Sequence, residues 1–292
     1  MKNTATVIYS AACQLGESPM WHPERLSCFW VDIEQGNLYE LKWLDKKLHH
    51  WHFPQRISLV VVAKNNQLII ALQGGIFKFN PDTATLELLT DLNQNWQQQR
   101  FNDGGCDSMG RLWVGTMQLN YRTGNGSLYC IHPNNSFETK IEQVAILNGS
   151  TWSADQKKMY HTDSLTRQIR CFHFSPLTGY ILFEKVAISI PEQLGLPDGI
   201  AMDHAGCLWV ALWGGYGVGR WDLNTGAMIE FIPVPAPHVT SCAFVGEQLE
   251  ALIITTAKEG LDEKTLAQYP ESGHVFIVKP GVKGAHVFAA DL

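Results

Sequence analysis

A chain of 292 residues with 45% apolar and 17% charged residues, ten Trp and thirteen Phe can bury a substantial core and is too apolar to stay disordered. Its formal charge of -6 is spread without a basic block, which removes the positive field that a phosphate backbone requires and with it nucleic acid as a partner. No stretch approaches the roughly 18 apolar residues that cross a bilayer, and MKNTATVIYSAACQLGESPMW has no long apolar run of a secretion signal. The expectation is a soluble, cytoplasmic protein with no membrane partner.

In chain order, the residues from Ala5 to Tyr9 read as a strand, and six related units follow. They are ESPMWHPERLSCFWVD from Glu17, SLVVVAKNNQLIIAL from Ser58, NDGGCDSMGRLWVGTM from Asn102, NGSTWSADQKKMYHTD from Asn148, DGIAMDHAGCLWVALW from Asp198 and SCAFVGEQLEALIITT from Ser241. Each reads as a hairpin: a turn such as HPERL, DSMGR or DHAGC between short strands rich in Trp, Val, Leu and Ile. Between them lie further strand and turn segments, including GGIFKFNPDTATLELL, RQIRCFHFSPLTGYILF and GVGRWDLNTGAMIEFI, which would supply outer strands.

The spacing of roughly 41 to 50 residues matches one four-stranded propeller blade, so the expectation is an all-β, six-bladed β-propeller filling residues 1–292 as a single domain. The first strand would close the ring by pairing beside GHVFIVKP, Gly273 to Pro280. No intervening segment sustains an apolar period of 3.6, which argues against helices between the strands.

Seven cysteines without a CxxC pair predict buried, reduced thiols rather than a disulfide framework or thiolate zinc site. GGYGVG at Gly214 to Gly219 imitates a dinucleotide fingerprint, but no helix pattern follows it and it reads as a turn. His49, His50 and His52 alternate around Trp51 on what reads as a solvated outer strand. HExxH, GxSxG and Walker sequences are all missing, which excludes the commonest zinc-protease, serine-hydrolase and NTPase chemistries.

In four units the opening polar residue lies five positions before the start of the turn: Glu17, Asn102, Asn148 and Asp198. Equivalent positions in different blades converge at one mouth of a propeller channel. Two carboxylates and an amide oxygen crowded there would hold a hard divalent cation, with calcium, magnesium, manganese and an oxygen-bound zinc as the choices. Taken singly, DG and NG are ordinary turn dipeptides; the shared register makes them a site. Arg100, two residues before Asn102, is placed to bind hydroxyls or developing negative charge.

LGESPMW at Leu15 to Trp21, RFNDGGCDSMGRLWVGTM at Arg100 to Met117, LPDGIAMDHAGCLWVA at Leu196 to Ala211, and TSCAFVGEQ with the later TTAKEGLDEKTLAQYPESGHVFIV occur in order. In these motifs the chain resembles the SMP-30/gluconolactonase/regucalcin family of six-bladed propellers over nearly its whole length. The resemblance implies that Glu17, Asn148 and Asp198 hold one divalent metal ion (Ca, Zn, Mn, Mg or Fe), that Arg100 and Asn102 hold the substrate, and that Asp198 doubles as general base. The sequence departs from the family pattern at Ser18, at Ser150 and Thr151, and at Gln118, Leu119 and Asn120 after the GTM segment, where some relatives carry an acidic substrate-binding residue.

The function expected is hydrolysis of an aldonolactone (gluconolactone-, xylonolactone- or arabinolactone-like) to its sugar acid, with a small-molecule lactone as partner. The protein would be a monomer or weak dimer. A metal-dependent ester or phosphotriester hydrolase and a non-catalytic calcium-binding regulator are the alternatives, and fold alone does not choose among them.

Overall fold

A computed structural model describes residues 4–92, 94–120 and 124–292. Nearly all regular structure in them is antiparallel strand, because β-branched and aromatic runs alternate with turns of Gly, Asn and Asp. Four sheets have four strands each. They are β2–β5 (Gly16–His22, Ser27–Asp32, Asn37–Lys42, Leu48–His52), β6–β9 (Ile57–Val62, Leu68–Leu72, Gly75–Asn80, Thr85–Thr90), β10–β13 (Gln99–Cys106, Leu112–Gln118, Gly126–Ile131, Phe137–Val144) and β14–β17 (Leu147–Trp152, Lys158–Asp163, Gln168–Ser175, Tyr180–Ser189).

The remaining strands form one eight-stranded sheet. Its members are β18 (Leu196–Met202), β19 (Leu208–Trp213), β20 (Gly217–Trp221), β21 (Met228–Pro233), β22 (His238–Val245), β23 (Ala251–Ala257), β24 (Val275–Val278) and β1 (Thr6–Tyr9).

This corrects the expectation of six separate blades: the described residues make four separate four-stranded blades and one continuous eight-stranded sheet in a propeller-like, all-β arrangement. The reason is local. The antiparallel pair Trp213 and His238 joins β19 to β22, and their rings stack at 4.0 Å with an interplanar angle of 16°, so the units opening at Asp198 and Ser241 run into one sheet. The N-terminal strand pairs as expected, with Thr6 opposite Ile277.

Among the described residues the intervening segments hold no long helix, but the short helix α1 (Glu263–Gln268) departs from the expectation. At six residues it is too short to show a period, and the Asp262 side chain caps it by accepting from Thr265 N at 2.8 Å. No helix among the described residues is long and apolar enough to cross a membrane.

The first strands of the repeats touch one another around a closed circuit. Ser18 Oγ accepts from Val60 N at 2.9 Å, joining β2 to β6, and Asn102 Nδ2 donates to Leu147 O at 2.8 Å, joining β10 to β14. Gly149 lies so close to Ile200 N that a Cβ would sit 2.5 Å from it, and one on Gly199 would sit on the Ser241 hydroxyl, which packs β14 on β18 and β18 on β22. Thr240 Oγ1 donates to Gly16 O and closes the circuit.

The recurring Asp-x5-Trp of DSMGRLW and DHAGCLW anchors the hairpins. Asp107 Oδ2 accepts from Arg111 Nε at 2.6 Å and Trp113 Nε1 at 2.8 Å, while Oδ1 accepts from the backbone of Met109 and Arg111. Asp203 repeats the device with Trp209 Nε1 and Arg220 Nε. Arg111 also donates to Pro176 O at 2.6 Å, tying its sheet to the next.

Removing Asp107 strands a buried guanidinium and an indole N–H. We expect Asp107→Ala to cost about 3–5 kcal/mol, read as a lower urea midpoint at unchanged slope. A loss under about 1 kcal/mol, the scale of an ordinary hydrogen bond, would show that the pair is not a structural anchor.

Candidate active site

Each first strand breaks its ladder at the same place. Register shifts fall between Glu17 and Met20, Ile57 and Leu59, Phe101 and Gly104, Leu147 and Ser150, Pro197 and Ile200, and Val239 and Ser241. A bulge releases one or two residues from pairing and re-aims their side chains. Asn102, Asp103, Asn148 and Asp198 lie within these bulges and Glu17 at the edge of one, so all five sit inside the first strands. All five are buried.

The polar groups form a directional chain. Arg100, 4% exposed, donates through Nη1 to Phe101 O at 2.9 Å and to Asn102 Oδ1. Asn102 Nδ2 donates to Leu147 O and, at 2.7 Å, to Asn148 Oδ1; Asn148 Nδ2 donates to Ser164 Oγ at 2.6 Å. Two consequences follow from counting hydrogens. Asn148 keeps one lone pair on Oδ1 and is turned so that this oxygen, not its nitrogen, faces Asn102. Asn102 donates both amide hydrogens within the protein and has only an oxygen lone pair left for a ligand.

The carboxyl groups are held against their chemistry. Burial, with the charge of Asp103 adding to it, raises Glu17 to about 8. Asp198 is pushed well above its ordinary range by burial and then by the charges of Glu17 and Asp103, with Arg100 opposing. Asp103 is raised to about 6 by burial, partly offset by Gly104 N donating to its Oδ1 at 2.6 Å. Asp198 Oδ1 is a buried oxygen with no hydrogen-bond partner among the described residues. Three mutually repelling buried carboxyls and an orphan oxygen are the surroundings in which a divalent cation lowers the energy.

The carboxyls of Glu17 and Asp198, the amide oxygen of Asn148 and the nearby charge of Asp103 are oxygen donors of the kind that suit a hard cation. Among the described residues, no three His, Cys, Asp or Glu side chains cluster as a cation site by themselves.

Asp103 escaped the sequence reading, which stopped at the opening residue of each unit. The signal was present: the next position is Ser18, Gly149 or Gly199 in the equivalent units and acidic only here. Ser164, which orients Asn148, lies 16 residues away with no motif to mark it.

A cavity of about 410 Å3 leads to Arg100 and is lined also by Gln14, Glu34, Gln35, Arg56, Leu119 and Glu259. The thiols take no part: all seven cysteines are free, six of them buried, and burial pushes Cys28 and Cys130 up to about 12. GGYGVG runs through a turn into β20, and His49, His50 and His52 lie on β5 as expected.

Fold and site together define an all-β, propeller-like protein with an oxygen-donor site at the bulges of its first strands. The chain belongs to the SMP-30/Gluconolactonase/LRE-like family, whose model matches residues 15–258. It is 32% identical to the Bacillus subtilis protein named "Putative sugar lactone lactonase YvrE" over 90% of both chains, and 32% identical to Bos taurus regucalcin over 93% of both. The crystal structure of the calcium-binding protein regucalcin from Agrobacterium tumefaciens superposes with a TM-score of 0.92 at 26% identity, covering 99% of this chain and 97% of that one.

Proposed function

We propose that the protein hydrolyses an aldonolactone to its sugar acid with the help of one divalent cation. The observation that carries this is Asp198: a buried carboxyl with an unpartnered oxygen, between the charges of Glu17 and Asp103 and that of Arg100. The family, which includes a sugar lactone lactonase by name, supports the same reaction class.

Glu17, Asn148 and Asp198 would hold the cation, which when bound supplies Lewis-acid polarisation of the lactone carbonyl. Arg100 keeps guanidinium N–H groups beyond those given to Phe101 and Asn102, and these point its chemistry toward sugar hydroxyls or the oxygen that gains negative charge. Asn102 acts mainly by orienting Asn148 and Arg100.

Asp198 accepts a proton from the water that attacks the carbonyl carbon. The bond between that carbon and the ring oxygen breaks, and the proton passes to the departing alkoxide, which becomes the free hydroxyl of the acid. A water and a lactone thus give one hydroxy acid with no other reactant.

The test is acid release from a panel of aldonolactones, followed with a pH indicator, using metal-stripped protein with calcium, magnesium, manganese, zinc or ferrous iron restored singly. Metal-dependent release above the spontaneous rate is expected. Cation binding without release of acid from any lactone would replace this reading with a non-catalytic calcium-binding role, and cleavage confined to simple esters or phosphotriesters would replace it with that hydrolase class.

A further inference from the structure

Beside the cavity that reaches Arg100 lies a larger one of about 620 Å3, and the two share Glu34, Gln35 and Arg56 as a common wall. The wall is firmly built. Arg56 Nε donates to both carboxylate oxygens of Glu34 at 2.9 Å, and its Nη1 donates to Gln73 Oε1 at 3.1 Å. Gln73 Nε2 in turn donates to Trp96 O at 2.6 Å and Gln99 O at 3.1 Å, so the wall, Trp96 and the strand that carries Arg100 are one hydrogen-bonded unit.

Trp96, which lines the larger cavity, packs on Phe101 with centroids 4.4 Å apart and donates its indole N–H to Asp91 O at 3.1 Å. Its polar atom is satisfied, and what it adds to the cavity is apolar ring surface. Exposed His52 and Gln97 add donors and acceptors to the same lining.

The chemistry of this lining selects its ligand. Glu34 compensates the charge of Arg56, so the wall has no excess positive charge for a phosphate or other anion. An aromatic surface beside amide, imidazole and paired ionic groups suits a neutral ring with an apolar face and a rim of hydroxyls. Each cavity is within the range of about 300–1,000 Å3 that accommodates a small ligand, so each has room for one sugar ring.

We propose that the larger cavity is a second saccharide subsite and that the substrate class is a glycosylated aldonolactone, with the lactone ring at Arg100 and the attached sugar beyond the Arg56–Glu34 wall. This rests on the lactonase reading given above.

The δ-lactones of gluconic acid and of cellobionic acid, which carries one additional β-1,4-linked glucose, are compared by acid release for the wild type and the double variant His52→Ala/Gln97→Ala. The wild type is expected to show a kcat/KM about tenfold higher for the disaccharide lactone, equivalent to about 1.4 kcal/mol, and the double variant a ratio near one. Equal values for the two lactones in the wild type, or an unchanged ratio in the variant, would overturn the subsite and leave the lactonase reading standing.

If neither lactone is hydrolysed, the wider aldonolactone panel decides the lactonase reading, and calorimetric titration with cellobionic acid decides the subsite independently of it. Binding that the double variant weakens about tenfold supports it. No binding, or binding that the variant leaves untouched, overturns it.

Discussion

Asp198→Asn is expected to lower metal-dependent kcat/KM for an aldonolactone by about 10^3-fold or more, because one side chain would lose both duties proposed for it, cation ligand and proton acceptor. The substitution keeps size and shape and removes a charge that burial and the charges of Glu17 and Asp103 already disfavour. The fold should therefore survive, and metal-free variant should melt at or above the wild-type temperature at pH 8. That stability readout separates a lost site from a lost fold. A variant that retains its fold and turns over within about threefold of wild type, less than about 0.7 kcal/mol in the barrier, would remove Asp198 from the mechanism.

The second large effect is a loss of stability with rising pH in metal-stripped protein. Glu17 and Asp198 have folded-state values raised above those of the unfolded chain, so the folded state binds more protons between them. Stability from this source is complete below the unfolded values near pH 4 and is lost as pH rises through the folded value, about 8 for Glu17. Each proton retained only by the folded state gives a slope of about 1.4 kcal/mol per pH unit, which corresponds to several degrees of melting temperature.

Other groups restrict the useful window. His22 and His161 are lowered to about 4 and about 3 by burial first and by Arg25 and Arg170 second, so they make stability increase with pH up to their unfolded value near 6.5 and contribute no slope above it. The buried thiols begin to lower stability above about pH 8, as cysteines of the unfolded chain ionise.

Between pH 6.5 and 8 the carboxyl groups dominate. Thermal melts of chelator-treated protein should fall across that interval, a saturating divalent cation should flatten the fall, and Asp198→Asn should reduce it. A flat profile without metal would mean that these carboxyls do not share one buried site.

Much of this molecule is written locally in its sequence. Turn residues such as Asp107 to Gly110 and the apolar runs beside them specify hairpins, and the period of the openers put Asn102, Asn148 and Asp198 at one register, each the first unpaired residue of its bulge, whereas Glu17 is the paired residue just before its own. The Asp-x5-Trp pairs at Asp107 and Asp203 are equally local, since acceptor and donor belong to one hairpin.

What only the tertiary structure decided depends on partners remote in sequence. The bulges that turn Asn148 and Asp198 inward are mismatches between two paired strands and cannot be read from either strand alone. The partners of Asn102 were likewise invisible locally: its two amide hydrogens go to Leu147 O and Asn148 Oδ1, some 45 residues away. Asp103 acquires significance only because folding places it near Glu17 and Asp198 in a medium that cannot solvate three charges. The number of separate sheets turned on one pair, Trp213 with His238, because short-range periodicity specifies strands and turns whereas their pairing is a property of the assembled surface.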